Sequence, residues 1–288
     1  MGTQRPVVVG IDGSDSALLA VSWGAAEAVR RRVGLRLVIA FEQPRAAPGG
    51  VGDVLLERAR LRLAEAVEVA VREAPGVGCE HRLVVGHPIS VLAAEARRAG
   101  LVVVGDRGAG LVEGLPAGSV AVGLAVQAPG TVVVVRGPGV APREARSLAV
   151  VVGIDAPAGG EEVLGFAFEA ASTRHVPLVA VHTWSDLAVE PEIAPQLDWD
   201  RIDAAARALL AERLEPWTRK YPEVTVGQVV SRDHPARALL RQAAQAQLLV
   251  VGPGGRGASA GLLLGSVCHA LLHRSPCPVA VVRPDATG

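Results

Sequence analysis

The sequence predicts an α/β protein with two tandem doubly wound sheets, each with five parallel strands in the order 3-2-1-4-5 and helices on both faces. Short valine-rich runs alternate with longer segments of helical periodicity, which is typical of parallel sheets that are covered on both faces. The same series of segments then occurs a second time, and each copy contains a glycine-rich loop between a strand and a helix. These three observations indicate a duplicated α/β domain.

The first copy supplies the elements of one complete sheet. The run at 7–11 is short and apolar, as a buried parallel strand requires, and Ser14 or Asp15 can cap the helix that follows. Further strands are predicted at 35–41, 79–85, 101–104 and 131–135. Helices are predicted from the cap to about 31, from about 53 to 73, after His87-Pro88, and near 118–128.

The second copy repeats the landmarks of the first. The run VVVGID occurs at 7–12 and again at 150–155, a shift of 143 residues. The His-Pro pair, the Gly-Ser pair and an arginine after the last strand are each shifted by 147 residues. A nearly constant shift identifies a tandem duplication. We therefore predict domains at 1–136 and 147–288, joined by GPGVAPREAR, which is rich in proline, glycine and charge.

Each glycine-rich loop has the character of a phosphate-binding turn. In both copies the fourth strand is followed by a glycine, two residues, a glycine, nine residues and a Gly-Ser pair. Glycine lets backbone N–H groups approach an anion closely, and the N-terminus of the following helix directs further N–H groups to the same place. In such sheets, ligands bind beyond the carboxyl ends of strands, where the strand order reverses.

These loops, together with VVVGIDGS at 7–14, the two His-Pro pairs and SPCPVAVVRP at 275–284, resemble the universal stress protein family over nearly the whole chain. The resemblance implies that each half binds an adenine nucleotide, ATP above all, with or without Mg²⁺. It places adenine and ribose near the aspartate after the first strand and near the end of the second strand. It places the phosphates on the glycine loop and its Gly-Ser pair.

Carried over position by position, the resemblance implies one nucleotide-binding set in each half. With the loop cation Arg107 added, the first set is Gly10, Asp12, Ala40, Gly105, Arg107, Gly108, Gly118, Ser119 and Val120. The second set is Gly153, Asp155, Thr183, Gly252, Gly255, Arg256, Gly265, Ser266 and Val267. Asp106 stands where the family often has serine or threonine, and we expect its charge to weaken phosphate binding in the first half.

Composition argues against several classes of partner. The formal net charge is zero, from 29 basic and 29 acidic residues, so neither a nucleic acid nor a membrane is expected as a partner. The three cysteines form no CxxC pair and no secretory segment is evident, which predicts a cytoplasmic protein. His269 and His273 are four residues apart, but their sequence context offers no further metal ligand, and no metal site is predicted.

Three functions stay open at this point. The leading interpretation is a binding module that acts in stress response or regulation, with no catalytic residue. The second is a slow ATPase or nucleotide hydrolase; against it, Lys220 is the only lysine and no P-loop motif is present. The third is an interaction scaffold with empty sites.

The last strand of each half is apolar and can pair with its counterpart edge to edge. We therefore expect an intramolecular pseudo-dimer of the two halves, and two chains could associate again as a homodimer. The arginine-rich segments at 30–32 and 58–62 are expected to be solvated helix surface.

Overall fold

The structure is a computed structural model that describes residues 5–41, 51–108, 118–136, 148–155, 160–184, 198–254 and 264–283. In the first half the elements are β1 (Val7–Ile11), α1 (Asp15–Arg31), β2 (Leu35–Phe41), α2 (Val51–Glu73), β3 (Cys79–Val85), α3 (Pro88–Ala96), β4 (Leu101–Gly105), α4 (Ser119–Gln127) and β5 (Val132–Val135). In the second half they are β6 (Ala149–Gly153), α5 (Glu161–Arg174), β7 (Leu178–Thr183), α6 (Trp199–Lys220), β8 (Val226–Ser231), α7 (Pro235–Ala243), β9 (Ala246–Val251), α8 (Ser266–Arg274) and β10 (Val279–Val281).

The strands form one ten-stranded sheet in the order β3-β2-β1-β4-β5-β10-β9-β6-β7-β8. Within each half, neighbouring strands are parallel and follow the predicted order 3-2-1-4-5. The two predicted sheets are joined into one because β5 and β10 pair antiparallel, with Val133 opposite Ala280. This pairing covers an apolar edge of each half and satisfies its backbone groups. Because of this antiparallel pairing, the carboxyl ends of the strands in the first half and those in the second half lie at opposite edges of the sheet.

Helices cover both faces, as the sequence predicts. The helices α1, α2, α5 and α6 pack on one face, around side chains such as Leu37 and Phe168. The helices α3, α4, α7 and α8 pack on the other face, around side chains such as Val8 and Leu249. Both core clusters are built mainly from valine, leucine and alanine, whose short side chains allow the helices to lie close to the sheet.

A second contact between the halves lies between α1 and α5, around the fully buried carboxylate of Glu27. This carboxylate contacts Arg31 Nε at 2.7 Å, Arg30 Nε at 3.0 Å and Arg174 Nη2 at 2.6 Å. Arg30 and Arg31 belong to α1, whereas Arg174 belongs to α5 of the other half. The prediction of a solvated surface at 30–32 is therefore wrong for these two arginines, because each has a buried counterion.

The same contact is reciprocal in its stacking and partly in its charge, because Glu169 of α5 also contacts Arg31 of α1, with 3.2 Å between Oε1 and Nη1. The Arg31 guanidinium carbon lies 5.0 Å from the centroid of the Phe166 ring. The Arg174 guanidinium carbon lies 5.7 Å from the centroid of the Trp23 ring, which is the equivalent arrangement after a shift of 143 residues. Glu27 has an alanine as its counterpart in the second half. Glu27 is therefore the fully buried carboxylate of this contact and binds arginines of both halves, whereas the side chain of Glu169 is 45% exposed.

Two further arginines link the halves near β5 and β10. Arg136 follows β5 and donates a hydrogen bond to the backbone oxygen of Leu272, in the last turn of α8. Arg283 follows β10 and donates to the backbone oxygen of Ala125 in α4, from Nε at 3.2 Å and from Nη2 at 2.9 Å. Cations at helix C-termini stabilise the helix. In each half, the arginine after the last strand therefore donates a hydrogen bond to the C-terminal end of the last helix of the other half.

None of the helices in the described ranges combines the length and the apolar character that a membrane span needs.

Candidate functional site

The candidate site of the first half lies where the strand order reverses, beyond the carboxyl ends of β1 and β4. Asp12 follows β1 directly, and its Oδ1 accepts hydrogen bonds from Ser14 N at 3.0 Å and from Ser14 Oγ at 2.6 Å. Ser14 also caps α1, since its Oγ accepts the backbone N–H of Ala17 at 3.1 Å. This short polar turn holds the Asp12 carboxylate at the mouth of the crevice between the two strands.

The glycine loop approaches this turn very closely. A Cβ atom on Gly105 would lie 2.4 Å from Ser16 Oγ and 2.7 Å from the Ser16 backbone, so only glycine fits there without a backbone shift. A Cβ atom on Gly108 would lie 3.0 Å from Asp12 Oδ2. Gly118 then closes the loop, because its N–H donates to the backbone oxygen of Asp106 at 2.6 Å. The structure therefore brings the two ends of the loop together, with Gly108 against Asp12.

Asp106 does not present its charge to the loop as expected from the sequence. Its side chain is 6% exposed, and its Oδ1 accepts a hydrogen bond from Ser16 Oγ at 2.7 Å. Arg107 Nε lies 3.5 Å from Oδ1 and Arg136 Nη2 lies 3.6 Å from Oδ2. Burial lowers the pKa of Arg136, and Asp106 counteracts this effect. Two cations thus lie beside the Asp106 carboxylate and reduce the negative charge that it presents to the loop.

The N-terminus of α4 points into the same crevice without a side-chain cap. Its N-cap is Gly118, which offers no acceptor for the N–H groups of the first turn, and Ser119 is exposed in that turn. By contrast, Ser14 caps α1 with its hydroxyl and Asp198 caps α6 with its carboxylate. The first N–H groups of a helix need an acceptor from outside the helix. At α4, an anionic ligand can supply this acceptor.

A cavity of about 210 Å³ lies beside Asp12, on the side of β2. It is lined by Asp12, Ile39, Ala40, Phe41, Leu55, Arg58, Ala59 and Arg62. Asp12 and Ala40 are predicted site residues, and the cavity places them together at the end of the crevice away from α4. The two arginines of α2 were not predicted as site residues, because in sequence they belong to an arginine-rich helix face without other signals.

Two residues of the first predicted set face the core instead of the crevice. Gly10 lies within β1, and a Cβ atom there would lie 2.7 Å from Leu92 Cδ1 on α3. Val120 is half-buried and packs against the core on the α4 side of the sheet. Their contribution to a site is therefore indirect: Gly10 allows α3 to pack closely, and Val120 anchors the first turn of α4.

The second half repeats part of this arrangement at the opposite edge of the sheet. Gly153 ends β6, Thr183 ends β7, Gly252 follows β9, and Asp155 is exposed beyond β6. Gly265 is the N-cap of α8 without a side-chain cap, and its N–H donates to the backbone oxygen of Pro253 at 2.8 Å. The exposed Ser266 begins the helix, and Val267 packs against the core. The predicted residues Gly255 and Arg256 lie outside the described residues.

The β7 side of the second site is built from aromatic residues that the sequence did not single out. Trp184 follows β7 and stacks on Trp199 with 5.7 Å between ring centroids. The Arg232 guanidinium carbon lies 3.7 Å from the centroid of Trp199. Trp184 Nε1 and Ser231 Oγ are buried and have no hydrogen-bond partner among the described residues. This half therefore presents an indole stack where the first half has Phe41 and the cavity.

The described residues bring together no group of three or more His, Cys, Asp or Glu side chains that could hold a metal ion.

The fold and the paired crevices define a class of protein: two linked α/β domains, each with a glycine loop at its strand-order reversal. The sequence model of the universal stress protein family matches residues 4–136 and 148–283, and the chain belongs to this family. Universal stress protein Rv2005c of Mycobacterium tuberculosis is 38% identical over 291 residues, which cover 97% of each chain. Universal stress protein Rv2623 of the same species is 35% identical over 290 residues, 98% of this chain and 97% of its own.

Among solved structures, a universal stress protein from Archaeoglobus fulgidus matches with a TM-score of 0.72 over 98% of this chain and 99% of its own. The two sequences are 17% identical, so this similarity supports the fold alone. The chain is a tandem universal stress protein.

Proposed function

We propose that the protein binds an adenine nucleotide, ATP in the first instance, in the crevice between β1 and β4, and that it acts in stress response or regulation without rapid catalysis. The observation that carries the proposal is the closeness of the glycine loop to Asp12, with 3.0 Å between a Cβ atom on Gly108 and Asp12 Oδ2. The 5′ phosphates would contact the loop N–H groups and the first turn of α4. The ribose hydroxyls would donate to Asp12, and the base would enter the cavity beside Ala40.

The second half carries the same kind of proposal at α8, with the Gly265–Ser266 turn for the phosphates and Asp155 for the ribose. Each predicted domain, 1–136 and 147–288, would then be one nucleotide-binding unit in the cytoplasm. Because Trp184 and Trp199 stand on the base side of this site, we expect base stacking to contribute more there than in the first half.

A binding role fits these groups better than hydrolysis. Backbone N–H groups and serine hydroxyls hold ground-state phosphates, and equal binding of substrate and transition state gives affinity without acceleration. Catalysed phosphoryl transfer needs positioned positive charge on the transferred group and an oriented nucleophile. Lys220 lies at the end of α6 over the rings of Trp217 and Tyr221, so it does not supply that charge at the second site. The end of α6 lies at the edge of the sheet opposite to the second site.

The test is isothermal titration calorimetry of the full-length protein with ATP, and with GTP as the base control. In the Gly118→Ala variant, a Cβ atom would lie 3.6 Å from Gly108 N, an ordinary contact that preserves folding but covers one proposed phosphate donor. Loss of one such hydrogen bond should weaken binding at the first site about tenfold. Gly78→Ala is the matched control, because a Cβ atom there has no described neighbour within 4 Å.

Two results would overturn the proposal. The first is the absence of ATP binding at millimolar concentration in the wild-type protein. The second is an ATP affinity that Gly118→Ala leaves unchanged. Turnover is followed separately as phosphate release with ATP and Mg²⁺ over hours. A rate of about 1 per second or more, lost in Ser119→Ala or Ser266→Ala, would favour the ATPase interpretation.

A further inference from the structure

Arg58 and Arg62 stand out among the arginines of α2. Both line the cavity of about 210 Å³ that also contains Asp12 and Ala40. Within the described part of the chain, neither guanidinium has an ion-pair or hydrogen-bond partner. By contrast, Arg60 and Arg72 on the same helix form ion pairs with neighbouring glutamates. The lining of the cavity therefore carries two guanidinium groups without an ion-pair partner among the described residues, the exposed Arg58 and the half-buried Arg62, beside the carboxylate of Asp12.

Arg62 is held in place by the turn that follows β1. Gly13 has a φ of +82°, and a Cβ atom on it would lie 2.3 Å from Arg62 Nε and 2.4 Å from Arg62 Cδ. The Arg62 side chain thus lies across the glycine, next to Asp12. Arg58 is one helical turn earlier on the same face of α2, and like charges at this spacing repel each other. An anion between the two guanidinium groups would relieve that repulsion.

The second half does not carry this feature. The buried positions of α2 and α6 correspond with a shift of 147 residues, as Ala59 with Ala206 and Leu63 with Leu210 show. By the same shift, the counterparts of Arg58 and Arg62 are an alanine and a leucine. The paired arginines therefore belong to the first site and are not a general feature of the duplicated fold.

We infer that the first site takes an adenine nucleotide with a second phosphate group on its ribose, at the 2′ or 3′ position, in addition to its 5′ phosphate. This inference rests on the proposed function, in which the glycine loop holds the 5′ phosphate and Asp12 the ribose. A ribose held at Asp12 has the loop on one side and the cavity on the other, where the base would lie on the side of Ala40 and the second phosphate on the α2 side, at Arg58 and Arg62. Guanidinium groups bind phosphate oxygens in pairs of charge-assisted hydrogen bonds, which is the chemistry that these two side chains offer.

The experiment compares the affinity of the full-length protein for AMP, adenosine 3′,5′-bisphosphate and adenosine 2′,5′-bisphosphate by calorimetry. We expect at least one bisphosphate to bind the first site about tenfold or more tightly than AMP, and no such gain at the second site. In Arg58→Gln and Arg62→Gln, the ratio of the bisphosphate affinity to the AMP affinity should fall towards one. Arg60→Gln is the matched control, and it should keep the wild-type ratio.

The outcomes separate this inference from the proposed function. If AMP and ATP bind but neither bisphosphate gains affinity, the arginine subsite is rejected and the nucleotide site stands. A gain that persists in both arginine variants also rejects the subsite. If no adenine nucleotide binds at all, the proposed function fails and the inference fails with it. Circular dichroism of each variant establishes that a lost gain does not reflect unfolding.

Discussion

Replacement of Glu27 by glutamine should strongly destabilise the protein, because it removes the only carboxylate that contacts the buried Arg174 within the described residues. The Glu27 side chain is 0% exposed and that of Arg174 is 4% exposed. Glutamine keeps the size of the side chain but cannot compensate the guanidinium charge of Arg174, whereas Arg31 would still contact Glu169 at 3.2 Å. Removing one partner of a buried ion pair typically costs about 3 to 5 kcal/mol.

The pKa values give a similar magnitude. Burial alone would raise the pKa of Glu27, but Arg174, Arg31 and Arg30 lower it from 4.5 to about 2. This difference corresponds to about 3 kcal/mol at neutral pH. Burial lowers the pKa of Arg174 to about 10, so Arg174 stays charged at neutral pH. The free-energy cost of removing this charge from water offsets part of the stability that the ion pair contributes. The lowered pKa of Glu27 follows from the three guanidinium groups that lie within 3.0 Å of its carboxylate.

The sign of the pH dependence follows from the lowered pKa. Stability from Glu27 is fully present above about pH 4.5 and is lost as the pH falls towards about 2. The difference in unfolding free energy between wild type and Glu27→Gln should therefore be about 3 kcal/mol at neutral pH and should shrink on acidification. Both proteins are unfolded with urea, and the midpoints are compared at equal slopes.

Glu57→Gln is the control, because the Arg60–Glu57 pair is exposed, with side-chain exposures of 65% and 63%. Exposed pairs contribute less than about 1 kcal/mol, so this variant should stay close to wild type. A Glu27→Gln variant as stable as Glu57→Gln at neutral pH, or a difference that does not shrink in acid, would refute the reasoning.

Three further predictions concern single positions. Gly105→Ala should destabilise the protein by about 1 to 3 kcal/mol through overpacking against Ser16, and an unchanged urea midpoint would contradict this. Arg283→Gln removes the cation at the end of α4 and should lower the melting temperature by about 2 to 4 °C; an identical calorimetric melting curve would count against the contact. Burial raises the pKa of Cys268 to about 12, so it should resist iodoacetamide at pH 8 until the protein unfolds, whereas the half-buried Cys79 should react first. Mass spectrometry of the alkylated protein decides this order.

The elements of the fold could be read from local patterns. A run such as VVVGI at 7–11 is too short and too apolar for anything but a buried strand, and strands and helices in strict alternation allow few topologies. The position of the glycine loops also followed from sequence, since the spacing of Gly105, Gly108 and Gly118 repeats in the second half. These features depend on residues that are close together in the chain, and for this reason they can be predicted from the sequence.

Charge compensation was decided only by the tertiary structure. Asp106 was expected to repel phosphate, but Ser16 and Arg136, which are 90 and 30 positions away in sequence, enclose its carboxylate. Arg31 was expected to face solvent, but packing of α1 against α5 buries Glu27 beside it. Arg62 lies in the cavity because its side chain packs against the turn at Gly13, which is distant in sequence.

The physical reason for this division is the range of the interactions. Periodicity, caps and turns involve neighbours within a few residues, so their pattern is visible in the sequence alone. A charge depends on every group within several ångströms and on its exposure to water, and both are set by the packing of elements that are remote in the chain. In this protein the sequence determined the duplicated fold and its two glycine loops, and the packing determined which charges remain available to a ligand.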